Sequence, residues 1–231
     1  MKICIIALPD VPLGKRPIKD PRLDQAHKLV EADKKTYAQV DLVGDTELLT
    51  SDAAVVAEGQ SLELIFKDLE LIESRLGRST SAAEKEALGK LQKHLEAEQL
   101  VYTAPLEPPE KEAIGALNFA TGRPVIEVAS ADAIDEVFVR AVREAGAISF
   151  LTVGGKENRA WLIAAGATAY DAAGAIHTDI QKGFIRAEII GWDDFIAAGG
   201  ETQAKRAGKQ RLEMKGYVMQ DYDLVNFRFN K

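Results

Sequence analysis

Between Ser61 and Leu95 the apolar residues follow a pattern that leaves the chain few options. Leu62, Ile65, Leu69, Ile72 and Leu76 recur at alternating spacings of three and four, which lays one helix face against another. Gly77-Arg78-Ser79-Thr80 breaks the run. Ser81-Ala82-Ala83-Glu84 then reads as a capping box, in which serine and glutamate each satisfy a backbone donor at a new helix start. Leu88, Leu91 and Leu95 resume the seam. Two seams joined by a short turn predict an antiparallel helical hairpin over 61–107. Its apolar faces serve self-packing first and a partner groove second.

The flanking segments have a different period. KICIIAL near the start is a continuous apolar run, as expected of a strand buried on both faces. Asp20-Pro21 is a helix start, with aspartate as N-cap and proline at the first helical position. Leu23, Ala26 and Val30 then give a helix over 21–33. TYAQVDLVG, DAAVVAE and RPVIEVAS read as further strands, and DAIDEVFVRAVREAG as an amphipathic helix stopped by Gly146. These segments form an α/β core in two pieces, 1–60 and 108–147.

From Ile148 the chain changes character. ISFLTV and NRAWLI flank Gly154-Gly155-Lys156-Glu157 as a hairpin, FIRAEII and LVNFRF are later strands, and short helices fall near 168–175, 192–198 and 202–208. This predicts a small α+β domain over 148–231. Charge marks the same boundary. Residues 149–231 carry 11 basic and 10 acidic side chains, whereas 1–148 carry 18 and 26, a net of −8 that accounts for all of the overall −7.

The single cysteine, Cys4, excludes an internal disulfide, and its strand position suits a small buried side chain. His27, His94 and His177 lie far apart, so no metal site is expected. No run approaches the ~20 apolar residues of a membrane span. The expected location is cytoplasmic, without membrane contact.

ISFLTVGGKENRAWLI, AAGAIHTDIQKGFIRAEII, WDDFIAAG, AKRAGKQRLE, YVMQDYD and VNFRFN together resemble the C-terminal TGS domain of YchF-type GTPases, in the Obg superfamily. KDPRLD, VDLVGD, SLELIFKDLELIESRL and RPVIEVASAD resemble other words of that family, in its order. The resemblance implies a reduced P-loop-GTPase-like sheet with an inserted antiparallel helical hairpin, followed by a ubiquitin-like β-grasp domain. It also implies a shortening by well over 100 residues. The sequence departs from the family at Tyr222, where a turn glycine is usual, and at Met214-Lys215-Gly216.

A Walker loop grips phosphates with glycine-permitted backbone amides, a lysine and a hydroxyl. Anchored on Gly14-Lys15, its first glycine becomes Pro9, its Ser/Thr becomes Arg16, and Pro12 removes a donor. Asp41-Leu42-Val43-Gly44 fits the D-x-x-G pattern but is followed by Asp45, a second negative charge. Ser130-Ala131-Asp132 replaces the family's base-recognition residues. The expectation is therefore no catalytic residues and no cofactor, with Asp41, Gly44, Gly14 and Lys15 as the remaining nucleotide-site candidates. The alternative is weak binding or hydrolysis of ATP or GTP with magnesium.

His177 and Asp179 suit a hydrogen-bonded turn better than a catalytic set. Lys205, Arg206, Lys209, Arg211 and Lys215 form a basic cluster suited to a solvated face or to phosphate contacts with RNA. Trp161, Trp192, Phe227 and Phe229 read as core residues. By resemblance the partners would be the ribosome, RNA, a translation factor or a second copy of the chain. The expected role is a binding or regulatory module.

Overall fold

The structure, a computed structural model, describes residues 1–78, 81–129 and 133–230. In chain order the elements begin with β1 (Lys2–Ile6), β2 (Gly14–Pro17), α1 (Pro21–Leu29), β3 (Lys34–Thr36) and β4 (Gln39–Val43). A 3₁₀ turn at Asp45–Thr50 leads to β5 (Ala53–Ala57), α2 (Gln60–Leu76) and α3 (Ala82–Glu96). A second 3₁₀ turn, Val101–Thr103, precedes α4 (Pro108–Ala113), β6 (Val125–Val128) and α5 (Ile134–Glu144). Next come β7 (Ala147–Thr152), β8 (Glu157–Ala164), α6 (Ala169–Ile176), α7 (Thr178–Lys182) and β9 (Phe184–Ile190). The chain ends with α8 (Trp192–Ala198), α9 (Glu201–Arg206), β10 (Arg211–Glu213) and β11 (Leu224–Phe229). Among the described residues no helix is long and apolar enough to cross a membrane.

These elements form two compact units, Met1–Arg16 with Val40–Ala145, and Pro17–Gln39 with Gly146–Lys231. The first holds a sheet of order β2-β4-β1-β5-β6. β1 runs parallel to β4 and β5, and β5 parallel to β6. Ile3, Cys4 and all of Ala53–Val56 are fully buried, as their unbroken apolar runs require of strands covered on both faces. Strand order reverses at β1, so its carboxyl end is a topological switch point.

Helices α2 and α3 share a core of Ile65, Ile72, Leu88, Leu91 and Leu95 with Ile114 and Phe119. Leu62, placed in the seam by its spacing, is instead 37% exposed. Leu64 is buried against Cys4, Leu48 and Val56, because α2 follows β5 so closely that its first turns must serve the sheet. The Ser81 hydroxyl accepts from the Glu84 amide at 3.1 Å as expected. The Glu84 carboxylate, however, pairs with Arg75 at 2.5 and 3.2 Å rather than closing the box. Ser79 and Thr80 lie outside the described residues.

The second unit has a sheet of order β10-β9-β11-β7-β8-β3. β7 and β8 are antiparallel, β11 is parallel to β7 and antiparallel to β9, and β3 is parallel to β8. One face buries Phe150, Ile189, Val225 and Phe227 beneath Ala169, Ala172 and Ala173 of α6. The other buries Leu151, Ala160, Ile190 and Leu224 beneath Leu23 and Ala26 of α1 and Phe195 of α8. Residues 17–39 therefore fold with this sheet, whereas the sequence reading grouped them with the front core. A helical face announces that it needs cover but does not say which sheet provides it.

One clamp fixes α1 here. Asp20 caps the helix by accepting from the Arg22 amide at 3.0 Å. The Arg22 guanidinium donates to Asp20 at 2.7 Å and Asp221 at 2.7 Å, and sits 3.6 Å over the Tyr222 ring. Tyr222 is 1% exposed and has a left-handed backbone, φ +64°. This is where the resembled family usually has glycine, the residue that adopts such a φ without strain.

Candidate functional site

At the junction of α7, β9 and the end of β11, the second unit has an open hollow of about 720 Å³. It is lined by His177, Asp179, Ile180, Lys182, Phe229 and Asn230, together with Gly183. His177 caps α7, its Nδ1 accepting from the Asp179 amide at 3.1 Å, so the expected local turn is present. Gly183 holds the floor. Its N–H donates to Asp179 at 2.9 Å, its carbonyl accepts from Asn230 at 2.9 Å, and a Cβ here would lie 2.0 Å from the Asn230 carbonyl oxygen.

The pairing of β9 with β11 shifts register between Arg228 and Phe229. Phe227 remains buried while Phe229 is 37% exposed at the hollow. The rim thus combines an open aromatic ring, the Lys182 ammonium, a side-chain amide, and the His177 imidazole set 3.5 Å from the Asp179 carboxylate. It can stack a planar group and contact an anion. Its described residues include no activated nucleophile with a base, and their arrangement is a binding geometry.

Sequence reasoning found His177 and Asp179 here but missed Lys182, Gly183, Asn230 and the exposure of Phe229. Alternation alone put Phe229 on the same face as Phe227. The bulge that frees it carries no sequence signal.

The basic cluster lies elsewhere on this unit. α9 ends at Arg206, so Lys205 and Lys209 do not share a helix face. Lys205 pairs with Glu201 at 2.6 Å, and Lys209 with Asp194 at 3.0 Å. Arg211 pairs with Glu213 at 3.4 Å and donates to the Tyr217 hydroxyl at 3.0 Å. Burial beside Asp223 pushes that hydroxyl up to about 12. Arg206 and Lys215 are exposed. Three of the five cations are thus matched by the chain's own carboxylates, in surface pairs weak enough to exchange for phosphate.

The nucleotide candidates belong to the first unit. Gly14, with φ +109°, opens edge strand β2, and Lys15 follows it, exposed. Gly44 lies at the carboxyl end of β4, where an added Cβ would be 3.6 Å from Leu13. Gly14, Lys15 and Gly44 therefore gather at one edge. Asp41 does not join them, because it sits within β4 opposite Lys2. The segment from Ala7 to Leu13 contains neither the Walker spacing nor a helix. The amide and hydroxyl of Ser61 at the start of α2 already donate to Glu127, at 3.1 and 2.6 Å. The fit to a triphosphate is therefore partial. Ser130-Ala131-Asp132 lies outside the described residues.

Residues 147–230 match the family model YchF-GTPase_C, described as "Protein of unknown function (DUF933)". The Ribosome-binding ATPase YchF of Haemophilus ducreyi is 60% identical over 82 residues, covering 36% of this chain and 23% of that protein. The Escherichia coli O157:H7 protein of the same name is 56% identical over the same shares. The Bacillus subtilis one is 29% identical over 237 residues, covering 74% of this chain and 65% of that protein. The chain thus spans less than two thirds of these relatives. Among solved structures, the Schizosaccharomyces pombe YchF GTPase is similar with a TM-score of 0.73 at 18% identity, covering 99% of this chain and 97% of that one.

The chain is accordingly similar to YchF-type proteins, as its sequence words indicate, and its fold is mixed α/β with two sheets. One expectation is corrected. The sequence reading expected no cofactor, whereas the relatives are named ribosome-binding ATPases and a GTPase, names that denote nucleotide chemistry in those proteins.

Proposed function

We propose that this chain, akin to the ribosome-binding YchF ATPases, associates with the ribosome through its C-terminal unit and binds ATP or GTP weakly with its N-terminal one. The observation that carries the first half is the 56–60% identity of the C-terminal segment to proteins named for ribosome binding. The hollow at His177, Lys182 and Phe229 supplies a surface suited to RNA, and the cations at Lys205, Arg206, Lys209, Arg211 and Lys215 a second contact. Strand order β10-β9-β11-β7-β8 supports the reading of 148–231 as a TGS-like β-grasp. The shared core of α2 and α3 supports the inserted hairpin over 61–107, between core segments 1–60 and 108–147.

The nucleotide half rests on the names of the relatives and on Gly14, Lys15 and Gly44 meeting near the switch point. Bound magnesium-nucleotide would bring a polyphosphate whose charge Lys15 can partly neutralise. The Gly44 amide lies at the same edge, and Asp41 stands further back along β4. Affinity is low because no Walker cradle of amides surrounds the phosphates.

Co-sedimentation with purified ribosomes at low and high salt tests the first half. Salt-sensitive pelleting that weakens in Lys182→Glu and Phe229→Ala is expected, and a lack of pelleting at low salt refutes it. For the second half, a fluorescent ATP or GTP analogue is titrated with magnesium. Weak, saturable binding reduced in Lys15→Ala is expected, and no saturation refutes it.

A further inference from the structure

The first unit has a separate open pocket of about 420 Å³ beside the Val101–Thr103 turn and α4. Its walls are largely apolar, with Val101, Leu106, Ile114, Leu117 and Phe119 among them. Among the described residues its charged lining is Lys111 and Arg123, with no carboxylate. That is unexpected in the part of the chain where acidic residues outnumber basic ones by eight.

The pocket is rigidly built. Asp68, 2% exposed, accepts from the amides of Ala120 and Thr121 at 2.6 and 2.8 Å and from the Thr121 hydroxyl at 2.6 Å. Thr121 in turn accepts from the amides of Val101 and Tyr102. Arg123 donates to the carbonyls of Leu48, Ser51 and Phe119. Its Nε is buried and, among the described residues, has no partner. Every hydrogen bond it makes is therefore to a neutral group, and burial lowers its pKa. Asp68 and Asp52 act on this guanidinium only through space, so none of its hydrogen-bond partners is charged, and a half-buried guanidinium so placed gains from an anion that comes within hydrogen-bonding reach.

We propose that this pocket binds a small organic anion with an apolar body, an aromatic or branched carboxylate, its charge toward Lys111 and Arg123 and its body against Leu106, Ile114 and Phe119. The volume lies within the 300–1,000 Å³ typical of small-molecule pockets, and a few polar groups in an apolar lining are how such pockets orient a ligand.

Three isosteric probes test it on the whole ¹⁵N-labelled chain: 2-naphthoate, 2-naphthylmethanol and 2-naphthylmethylammonium. Naphthoate is expected to saturate and to shift the Gly115 and Gly122 amide signals, ahead of the neutral and cationic probes. Lys111→Gln, on an exposed position, should weaken naphthoate about two- to fivefold and leave the alcohol unchanged. Arg123→Gln should weaken naphthoate further, provided its circular dichroism matches the parent. Equal binding of all three probes overturns the proposal, as does saturation without shifts at Gly115 and Gly122, or no saturation.

Discussion

Replacing Tyr222 separates two opposing effects that the structure places on one residue. The ring is fully buried beneath Arg22 and edge-on to Trp192, with centroids 5.4 Å apart, and burial together with the nearby Asp20 carboxylate raises the pKa of its hydroxyl. Truncating a buried aromatic costs about 3–5 kcal/mol. The φ of +64° works the other way, since a residue with a Cβ in the left-handed region carries roughly 1–2 kcal/mol of strain that glycine escapes. Tyr222→Ala should therefore lose about 3–5 kcal/mol, and Tyr222→Gly about 1 kcal/mol less. That reverses the usual order, in which glycine is the worse substitute. Tyr222→Phe, which loses only the hydroxyl, should cost about 1 kcal/mol. Urea unfolding followed by tryptophan fluorescence reads this cleanly, because both tryptophans, Trp161 and Trp192, lie in the second unit. A glycine variant less stable than the alanine one would refute the backbone argument. Losses below about 1 kcal/mol in both would refute the clamp.

The remaining predictions use the same measurements. Asp68→Asn turns an amide N–H toward donors and should cost the first unit about 1–3 kcal/mol by urea unfolding followed with far-ultraviolet circular dichroism. Burial raises the Asp68 pKa, so between the unfolded carboxylate value of about 3.9 and the raised folded one the folded state holds the extra proton. Stability from this group therefore falls as pH rises through that window, and Asp68→Asn should remove that slope. Arg22→Lys keeps the charge but cannot fork to Asp20 and Asp221, and should cost about 1–3 kcal/mol on the tryptophan-detected transition. Gly183→Ala drives a Cβ into the Asn230 carbonyl and should cost about 1–3 kcal/mol, with the amide signals of 183 and 230 displaced.

Legibility followed the length and purity of the local signal. β1 and β5 were readable because both faces are covered and the apolar run is unbroken. The start of α1 was readable because Asp20-Pro21 states its chemistry in two letters. α7 and β10, five and three residues long, are too short for any period and are set by the neighbours they join. The hollow was half visible, since the His177 turn is local, but Lys182 and Phe229 meet only through a bulge. The basic cluster was visible as charges. Its pairing with Glu201, Asp194 and Glu213 was not, because two of those partners depend on tertiary placement or on a helix that ends early. The departure at Tyr222 was legible as an oddity, and its reason required both the backbone angle and Arg22.

Apart from β3, the strands of the sheet that buries Leu23 and Ala26 begin only at Ala147, more than a hundred residues after Gln39. During synthesis at about 5–20 residues per second, the opening helix would wait roughly 10–40 s for its full cover, which extends to Leu224. A fragment cut at the start of the matched family segment would lack that helix altogether, leaving Leu151, Ile190 and Leu224 covered on that face by α8 but not by Leu23 and Ala26. The useful boundary for expressing this unit is therefore spatial, and a chain that joins 17–39 directly to 146–231 is its natural minimal form.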